Sequence, residues 1–452
     1  MSPARSPALR VGQRIRLTLG ALATGGEAVA RHDALVVFVE GGAPGDEADV
    51  EITEVRRSFA RGVITSLHTP SVHRVSPRCA IYGECGGCQL QHLSPAAQRD
   101  AKTRIVADAM RTIAGLPESA VAPCMPTTPW AYRNKMQLVA ARNGRLGLYR
   151  RHTHEVVSME TCHIAHPMAN RILEAVSALL DDLQWPAYDE ATGEGLLRHV
   201  LARVAGPAEK PRAFVVPIVT REHVPRLDAF CARLRDRVPE VAGIALNIND
   251  ARTNVILGRR TVHVWGAEHL EEVVSGIRFK VAPASFFQVN PEGLSHLVEL
   301  VGECLQPSPA QIVIDGYCGV GALSLPLASR VGRVIGIEEV PPAVENARQN
   351  ARLNQIDNAV FEQGAVEAVL PTLPAADAVI LDPPRKGCAP AVIETIAAHA
   401  VPTVVYVSCN PATLARDLVR FREHGYHPKR IQPVDMFPQT AHVECVTHLT
   451  RS

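Results

Sequence analysis

Polar and apolar positions alternate along the first part of the chain and run in blocks along the last. Arg14-Ile-Arg-Leu-Thr-Leu19 alternates, Leu35–Val39 is continuously apolar, Asp49-Val-Glu-Ile-Thr-Glu-Val55 alternates again, and Gly62–Leu67 closes the set. Glycine pairs at 25–26 and 41–42 and the Pro44-Gly45 step punctuate these runs. Short strands broken by glycine turns predict a small β-barrel over residues 11–70. Residues 1–10, polar and Pro-containing, are expected to be a disordered tail. Spacing of Ile105, Ala109 and Ile113 predicts a helix between Pro95 and Ala114.

Residues 125–275 combine strand-like runs at 213–219 and 244–249 with an amphipathic helix over 226–237, whose first turn suits Pro225. After residue 280 buried β-branched runs alternate with helical stretches. Strands are expected at 311–315, 334–338, 359–363, 378–382 and 403–408, followed by two antiparallel strands within 428–449. That order predicts an α/β fold with a doubly wound sheet and an antiparallel finish.

A length of 452 residues suits about three domains. With 46% hydrophobic and 21% charged residues and a formal net charge of +1, the chain is ordinary globular material with no global basicity. Charge is segregated locally. Residues 40–54 carry six acids and no Lys or Arg, and residues 55–83 carry five arginines and no acid. A basic edge of this kind suits a phosphate backbone; the alternative is a solvated face. No apolar run approaches a membrane span, and the first ten residues lack a signal-peptide core, so a cytoplasmic protein is expected. Its eleven cysteines then mean metal, catalysis or small core residues rather than disulfides.

Four strand ends carry chemistry. Asp315-Gly-Tyr-Cys-Gly-Val-Gly321 follows an apolar strand and opens a helical run. Its glycines permit a tight turn and close approach to a ligand. Glu338 ends the next strand, where a carboxylate grips a ribose diol. The spacing departs from a dinucleotide fingerprint and fits a nucleoside without pyrophosphate, such as S-adenosylmethionine. Leu381-Asp-Pro-Pro-Arg-Lys-Gly387 puts Asp382 at a third strand end, with Arg385 and Lys386 able to hold phosphate. Val407-Ser-Cys-Asn-Pro411 puts Cys409 between a strand and a helix whose N-terminus would lower the thiol pKa. Alone, Cys409 also reads as a buried core thiol, and Glu444 as a surface acid.

Cys79-x5-Cys85-x2-Cys88 forms a glycine-bearing loop. On residues alone, zinc and an iron–sulfur cluster are equally open, and Cys162 is not distinguished from Cys124 as a fourth ligand. Cysteines 124, 231, 304, 318, 388 and 445 are expected to pack as small apolar groups. The histidines form no ligand pattern.

The order of these motifs, with Val434-Asp-Met-Phe-Pro-Gln-Thr-Ala-His-Val-Glu444 at the end, resembles the RNA 5-methyluridine (uracil-C5) methyltransferase family over nearly the whole chain. Ala284-Ser-Phe-Phe-Gln288-Val-Asn290 is similar to the family's entry into its catalytic domain. The resemblance implies an OB-like TRAM barrel at 11–70 and a central α/β domain from 71–92 and 125–275. It implies a Rossmann-like, seven-stranded methyltransferase domain from 93–124 and 276–452. It implies that Cys409 attacks uracil C6, that Glu444 removes the C5 proton, and that Gln288, Tyr317, Glu338 and Asp382 hold S-adenosylmethionine. Cys79, Cys85, Cys88 and Cys162 match the [4Fe–4S] ligands of one branch, which points to 23S rRNA as substrate, with a tRNA T-loop uridine as the alternative. Ala322 departs from the family, where Asn is common, so one side-chain contact to the cofactor is lost. The target base must be flipped into the pocket. A monomer is expected. Two other readings stand beside this one: a non-catalytic RNA-binding relic, and a cytosine-C5 methyltransferase, whose nucleophile follows Pro or Thr rather than Ser.

Overall fold

The computed structural model describes residues 9–142, 144–207, 209–283 and 285–451. The first eight residues of the expected tail, and Ala284 of the entry motif, lie outside the described residues. Leu9, placed in the tail by sequence, is buried in the first core.

Five strands open the chain: β1 (Arg14–Thr18), β2 (Ala28–His32), β3 (Leu35–Glu40), β4 (Glu47–Val55) and β5 (Phe59–Thr69). They form one curled sheet in the order β1-β4-β5-β3-β2. Val37, Val39, Val50 and Ile52 fill it. The long antiparallel β4–β5 pairing accounts for the charge segregation. Arg14 pairs with Glu51, Arg16 with Asp49, Arg56 with Glu54, Arg61 with Glu27 and Arg74 with Asp46. Of the five arginines of the expected basic edge, Arg56, Arg61 and Arg74 are therefore held by carboxylates, and Arg57 and Arg78 enter no ion pair among the described residues.

A helix, α1 (Pro95–Ala109), follows the cysteine loop, capped by the Ser94 hydroxyl and continuing to Ala114 as a wider turn. One side, Ala97, Ala101 and Ile105, packs on the barrel. The other, Val106 and Met110, packs on the C-terminal sheet. Lys102 is buried on this helix and pairs with buried Asp435 while donating to the Phe437 carbonyl at 3.0 Å. Leaving either charge alone there would cost about 3–5 kcal/mol.

The middle of the chain forms β6 (Lys135–Ala140), β7 (Leu146–Tyr149), β8 (Val156–Ser158), α2 (Pro167–Leu183), β9 (Leu197–Ala205), β10 (Arg212–Val219), α3 (Leu227–Arg237), β11 (Val241–Ile248) and β12 (Arg260–Gly266). The strands make a seven-stranded sheet, β12-β11-β10-β9-β6-β7-β8, with α2 and α3 on one face. Pro225 is not in the first turn of α3. Arg226 sits between them in a left-handed conformation, φ 58°, so the proline precedes the helix. A hairpin, β13 (Leu270–Val274) with β14 (Ile277–Val281), leads out.

The C-terminal part comprises α4 (Pro291–Leu305), β15 (Ile312–Gly316), β16 (Arg333–Glu338), α5 (Pro341–Leu353), β17 (Ala359–Gln363), the single turn α6 (Val366–Val369), β18 (Ala378–Leu381), α7 (Pro390–Ala398), β19 (Thr403–Ser408), α8 (Pro411–Glu423), β20 (Tyr426–Val434) and β21 (Glu444–Arg451). Its sheet runs β17-β16-β15-β18-β19-β21-β20, parallel from β17 to β19, with β21 antiparallel to both neighbours. Strands β15, β18 and β19 are buried on both faces, as parallel strands between helix layers must be. Their carboxyl ends, Gly316, Leu381 and Ser408, line up at one edge. No described helix is long and apolar enough to cross a membrane.

Candidate active site

A cleft of about 1600 Å³ opens at that edge. It is lined by Cys409, Glu444, Gln288, Tyr317, Glu338 and Asp382, and at its far end by Cys79, Cys85, Cys88 and Cys162. Every site residue expected from sequence therefore faces one cavity.

Cys409 sits in the gap between β19 and α8. Asn410 caps the helix, accepting from the Ala412 N–H at 3.0 Å. On the neighbouring antiparallel strand, the ladder ends with Ser408 paired to Cys445, one residue before Cys409 and one after Glu444, and the two side chains line the same cavity. Glu444 is buried. Burial and the Glu444 carboxylate push the half-buried Cys409 thiol up, opposed by Arg385. The expected lowering by the α8 N-terminus is thus outweighed in the free protein. Burial and Asp382 likewise hold Glu444 well above the usual carboxylate range, again opposed by Arg385. Arg385, read from sequence as a phosphate holder, is the cation acting on both groups. Its position three residues past Asp382 was the only sequence signal for this. His442, two residues before Glu444, also lines the cleft and stacks edge-on against Phe437.

The turn after β15 has the shape a small cofactor needs. Tyr317 holds φ 66°, and Gly319 and Gly321 hold 56° and 82°. A left-handed tyrosine is uncommon and marks a backbone held by its surroundings. A Cβ at Gly319 would meet nothing within 4 Å. Glu338 accepts from the Gly319 N–H at 3.0 Å and the Val340 N–H at 2.8 Å, which fixes its carboxylate at the turn. Asp315 is buried, with buried Ser324 beside it, and among the described residues neither carboxylate oxygen meets hydrogen-bond geometry with a partner. Desolvation raises its pKa to about 7, and that of Asp382 to about 7. A stranded carboxylate beside an open glycine turn and a second fixed carboxylate fits a cationic amino-acid nucleoside. Ala322 lines the same cavity.

The four cysteines form a candidate donor set. Burial, then neighbouring thiols, push Cys88 up to about 12 and raise Cys85. Burial also raises Cys162. The Gly87 N–H donates to Cys85 Sγ at 3.4 Å. Gly86 lies where a Cβ would stand 2.9 Å from the Tyr149 carbonyl, so glycine lets the loop close against β7. Desolvated thiols within each other's field suit a cationic centre that would deprotonate them. Among the described residues, no three His, Cys, Asp or Glu side chains stand close enough to hold a single ion together. The expected iron–sulfur site is therefore not formed as a metal-holding group among the described residues, and the donor chemistry alone does not separate a cluster from zinc. The six remaining cysteines are all buried, as expected of packing residues.

Comparison with known proteins agrees with the fold. Residues 8–65 match the TRAM domain family and residues 307–418 a methyltransferase domain family. The chain is 39% identical to an RNA methyltransferase of Bacillus cereus, covering 100% of this chain and 99% of that protein. It is also 39% identical to one of Gloeobacter violaceus over 457 residues, covering 100% and 99%. Among solved structures, the Pyrococcus abyssi tRNA (uracil-54, C5)-methyltransferase in complex with S-adenosyl-L-homocysteine superimposes with a TM-score of 0.77 at 26% identity, covering 96% of this chain and 99% of that one. With full-length relatives at this identity, the chain belongs to the RNA methyltransferase family and carries a TRAM domain at its N-terminus.

Proposed function

We propose that the protein transfers a methyl group from S-adenosylmethionine to C5 of a uridine in RNA, through a covalent Cys409 adduct, acting as a cytoplasmic monomer. The observation that carries this reading is the juxtaposition of Cys409 and Glu444 across β19 and β21, beside Asp382 and the glycine turn. Uracil C5 is too weak a nucleophile to attack a sulfonium unaided. Cys409, after its thiol proton passes to solvent, adds as the thiolate to C6, and the C5–C6 electron pair moves into an enolate that makes C5 nucleophilic. S-adenosylmethionine, when bound, supplies an electrophilic methyl group to C5. Glu444 takes the C5 proton, the C5–C6 double bond re-forms and the C6–sulfur bond breaks, returning the thiolate. Arg385 stabilises the anionic states of both groups. Gln288, Tyr317, Glu338 and Asp382 orient the cofactor around the turn that Asp315 opens.

Cys79, Cys85, Cys88 and Cys162 hold a [4Fe–4S] cluster in this reading. Methyl transfer needs no electrons, so the cluster shapes the RNA-binding side of the cleft. The quartet favours 23S rRNA as substrate. The tRNA-specific neighbour, similar over 96% of the chain, favours a T-loop uridine as the second reading. Turnover with 5-fluorouridine-substituted RNA decides both points, because fluorine at C5 leaves Glu444 no proton to remove. A methylated adduct on Cys409 with rRNA, absent in Cys409→Ala, is the expected result. An adduct with tRNA alone moves the substrate to tRNA. No adduct with either RNA overturns the covalent mechanism.

A further inference from the structure

Beside the cysteine quartet, outside the residues used above, lies a Trp-centred surface. Trp130 is half-exposed. The Arg78 guanidinium stands over its ring at 5.4 Å, and the His163 ring abuts it edge-on with centroids 6.3 Å apart. Arg78 directly precedes Cys79, and His163 directly follows Cys162. His163 lines the catalytic cleft, as does Arg133. The surface is therefore continuous with the cavity that holds Cys409.

Two features set it apart from ordinary surface. Arg56, Arg61 and Arg74 of the same basic segment are committed to carboxylates, whereas exposed Arg57 and Arg78 have no carboxylate partner among the described residues, and of these two it is Arg78 that stands over Trp130. Ala131, directly after Trp130, holds φ 56° and is fixed there by its N–H donating to the His163 carbonyl at 3.0 Å. Two residues on, the Arg133 N–H donates to Ile164 at 2.8 Å. A non-glycine residue in that conformation costs of order 1 kcal/mol or more and persists only where its surroundings impose it. Here it clamps the Trp130 segment to the Cys162 segment and fixes the indole at the lip of the cleft. A positioned aromatic with an uncommitted guanidinium is what an unstacked RNA base and its phosphate require.

We infer that Trp130 and Arg78 form a stacking site for a nucleotide of the RNA substrate next to the target uridine. The incoming base takes the ring face that Arg78 now covers, and the guanidinium moves to the adjoining phosphate. The two flanked cysteines hold the site's walls, which gives the quartet a recognition role. The inference rests on the uridine-methylating reading for which RNA segment is seated, and on the RNA methyltransferase family for RNA itself.

The test is titration of the full-length protein with single-stranded decauridine RNA, followed by tryptophan fluorescence. Wild type is expected to be quenched, and the quench to vanish in Trp130→Phe, which leaves Trp185 and Trp265 as emitters. Trp130→Leu is expected to bind the RNA roughly tenfold more weakly, with KM for substrate RNA rising in step. Arg78→Ala, an exposed change that spares the fold, should lower the dependence of log affinity on log salt by about one phosphate contact. A quench that persists in Trp130→Phe, or unchanged affinity in both Trp130→Leu and Arg78→Ala, overturns the site. A wild-type enzyme that methylates a base other than uracil would refute the functional reading while the quench still decides the site.

Discussion

Gln98 and Gln439 hydrogen-bond to each other twice. The Gln439 N–H donates to Gln98 Oε1 at 2.9 Å, and Gln98 Nε2 donates to Gln439 Oε1 at 2.9 Å. The Gln439 carbonyl accepts from the N–H groups of Gln89 and Leu90 at 3.0 and 2.9 Å, one and two residues past Cys88. Gln439 is buried with φ 70° and lies five residues before Glu444. Helix α1, the cysteine loop and the approach to β21 thus meet on one side chain. Gln98→Met keeps the volume and leaves buried amide groups unpaired, which costs about 1–3 kcal/mol for each. The expected outcome is a modest fall in thermal midpoint and a fall in kcat of roughly tenfold or more, with RNA affinity little changed. A lower midpoint with unchanged kcat would reduce the pair to a structural clasp.

Burial of Asp315 destabilises the free protein once its carboxyl ionises. Its folded pKa is raised to about 7 from 3.8. The carboxyl is neutral in both states below the unfolded value, so no penalty exists there. As pH rises toward 7 the folded state binds more protons than the unfolded one, and stability falls until the folded group ionises. Asp315→Asn removes that loss. The variant should melt higher than wild type near pH 8, with the difference shrinking toward pH 5, while its affinity for S-adenosylmethionine drops at least tenfold by calorimetry. Equal melting curves across this range would show that the carboxylate is solvated in the free enzyme.

Legibility in the sequence followed local pattern. The parallel strands were readable because β-branched runs buried on both faces leave no periodic ambiguity, and Asp382 and Cys409 followed because they sit where such runs stop. The barrel's strands were readable for the same reason, but its electrostatics were not. Whether Arg61 faces RNA or Glu54 depends on the β4–β5 register, which no charge count contains. The roles of Arg385 and Gln439 were likewise hidden. Each acts on residues brought close only by the β19–β21 pairing or by the docking of α1. The direction of the Cys409 shift was misjudged because a helix N-terminus is visible in sequence, whereas burial beside Glu444 is not.

The cysteine quartet makes a stoichiometric prediction. Protein purified without oxygen should carry about four irons and four sulfides per chain and absorb in the visible range, and Cys88→Ser should lose both. Because the Gln89 and Leu90 amides follow Cys88 directly, the same variant should exchange the amide hydrogens of 439–444 faster than wild type. Stoichiometric zinc with no sulfide would replace the cluster by a tetrahedral thiolate site.

In the proposed mechanism Glu444 separates methyl transfer from product release. It is buried and lines the same cavity as Cys409, so no solvent base reaches the C5 proton easily. Glu444→Gln retains the shape and a hydrogen-bond donor but cannot accept that proton. Attack by Cys409 and methyl transfer should therefore still occur, and elimination should fail. On ordinary RNA the variant should accumulate a protein–RNA adduct whose mass includes one methyl group, with multiple turnover reduced about 100- to 10,000-fold. Adding Cys409→Ala should abolish the adduct. A Glu444→Gln enzyme that turns over normally, or an adduct lacking the methyl group, would move the base to another residue, and His442 would be the first to examine.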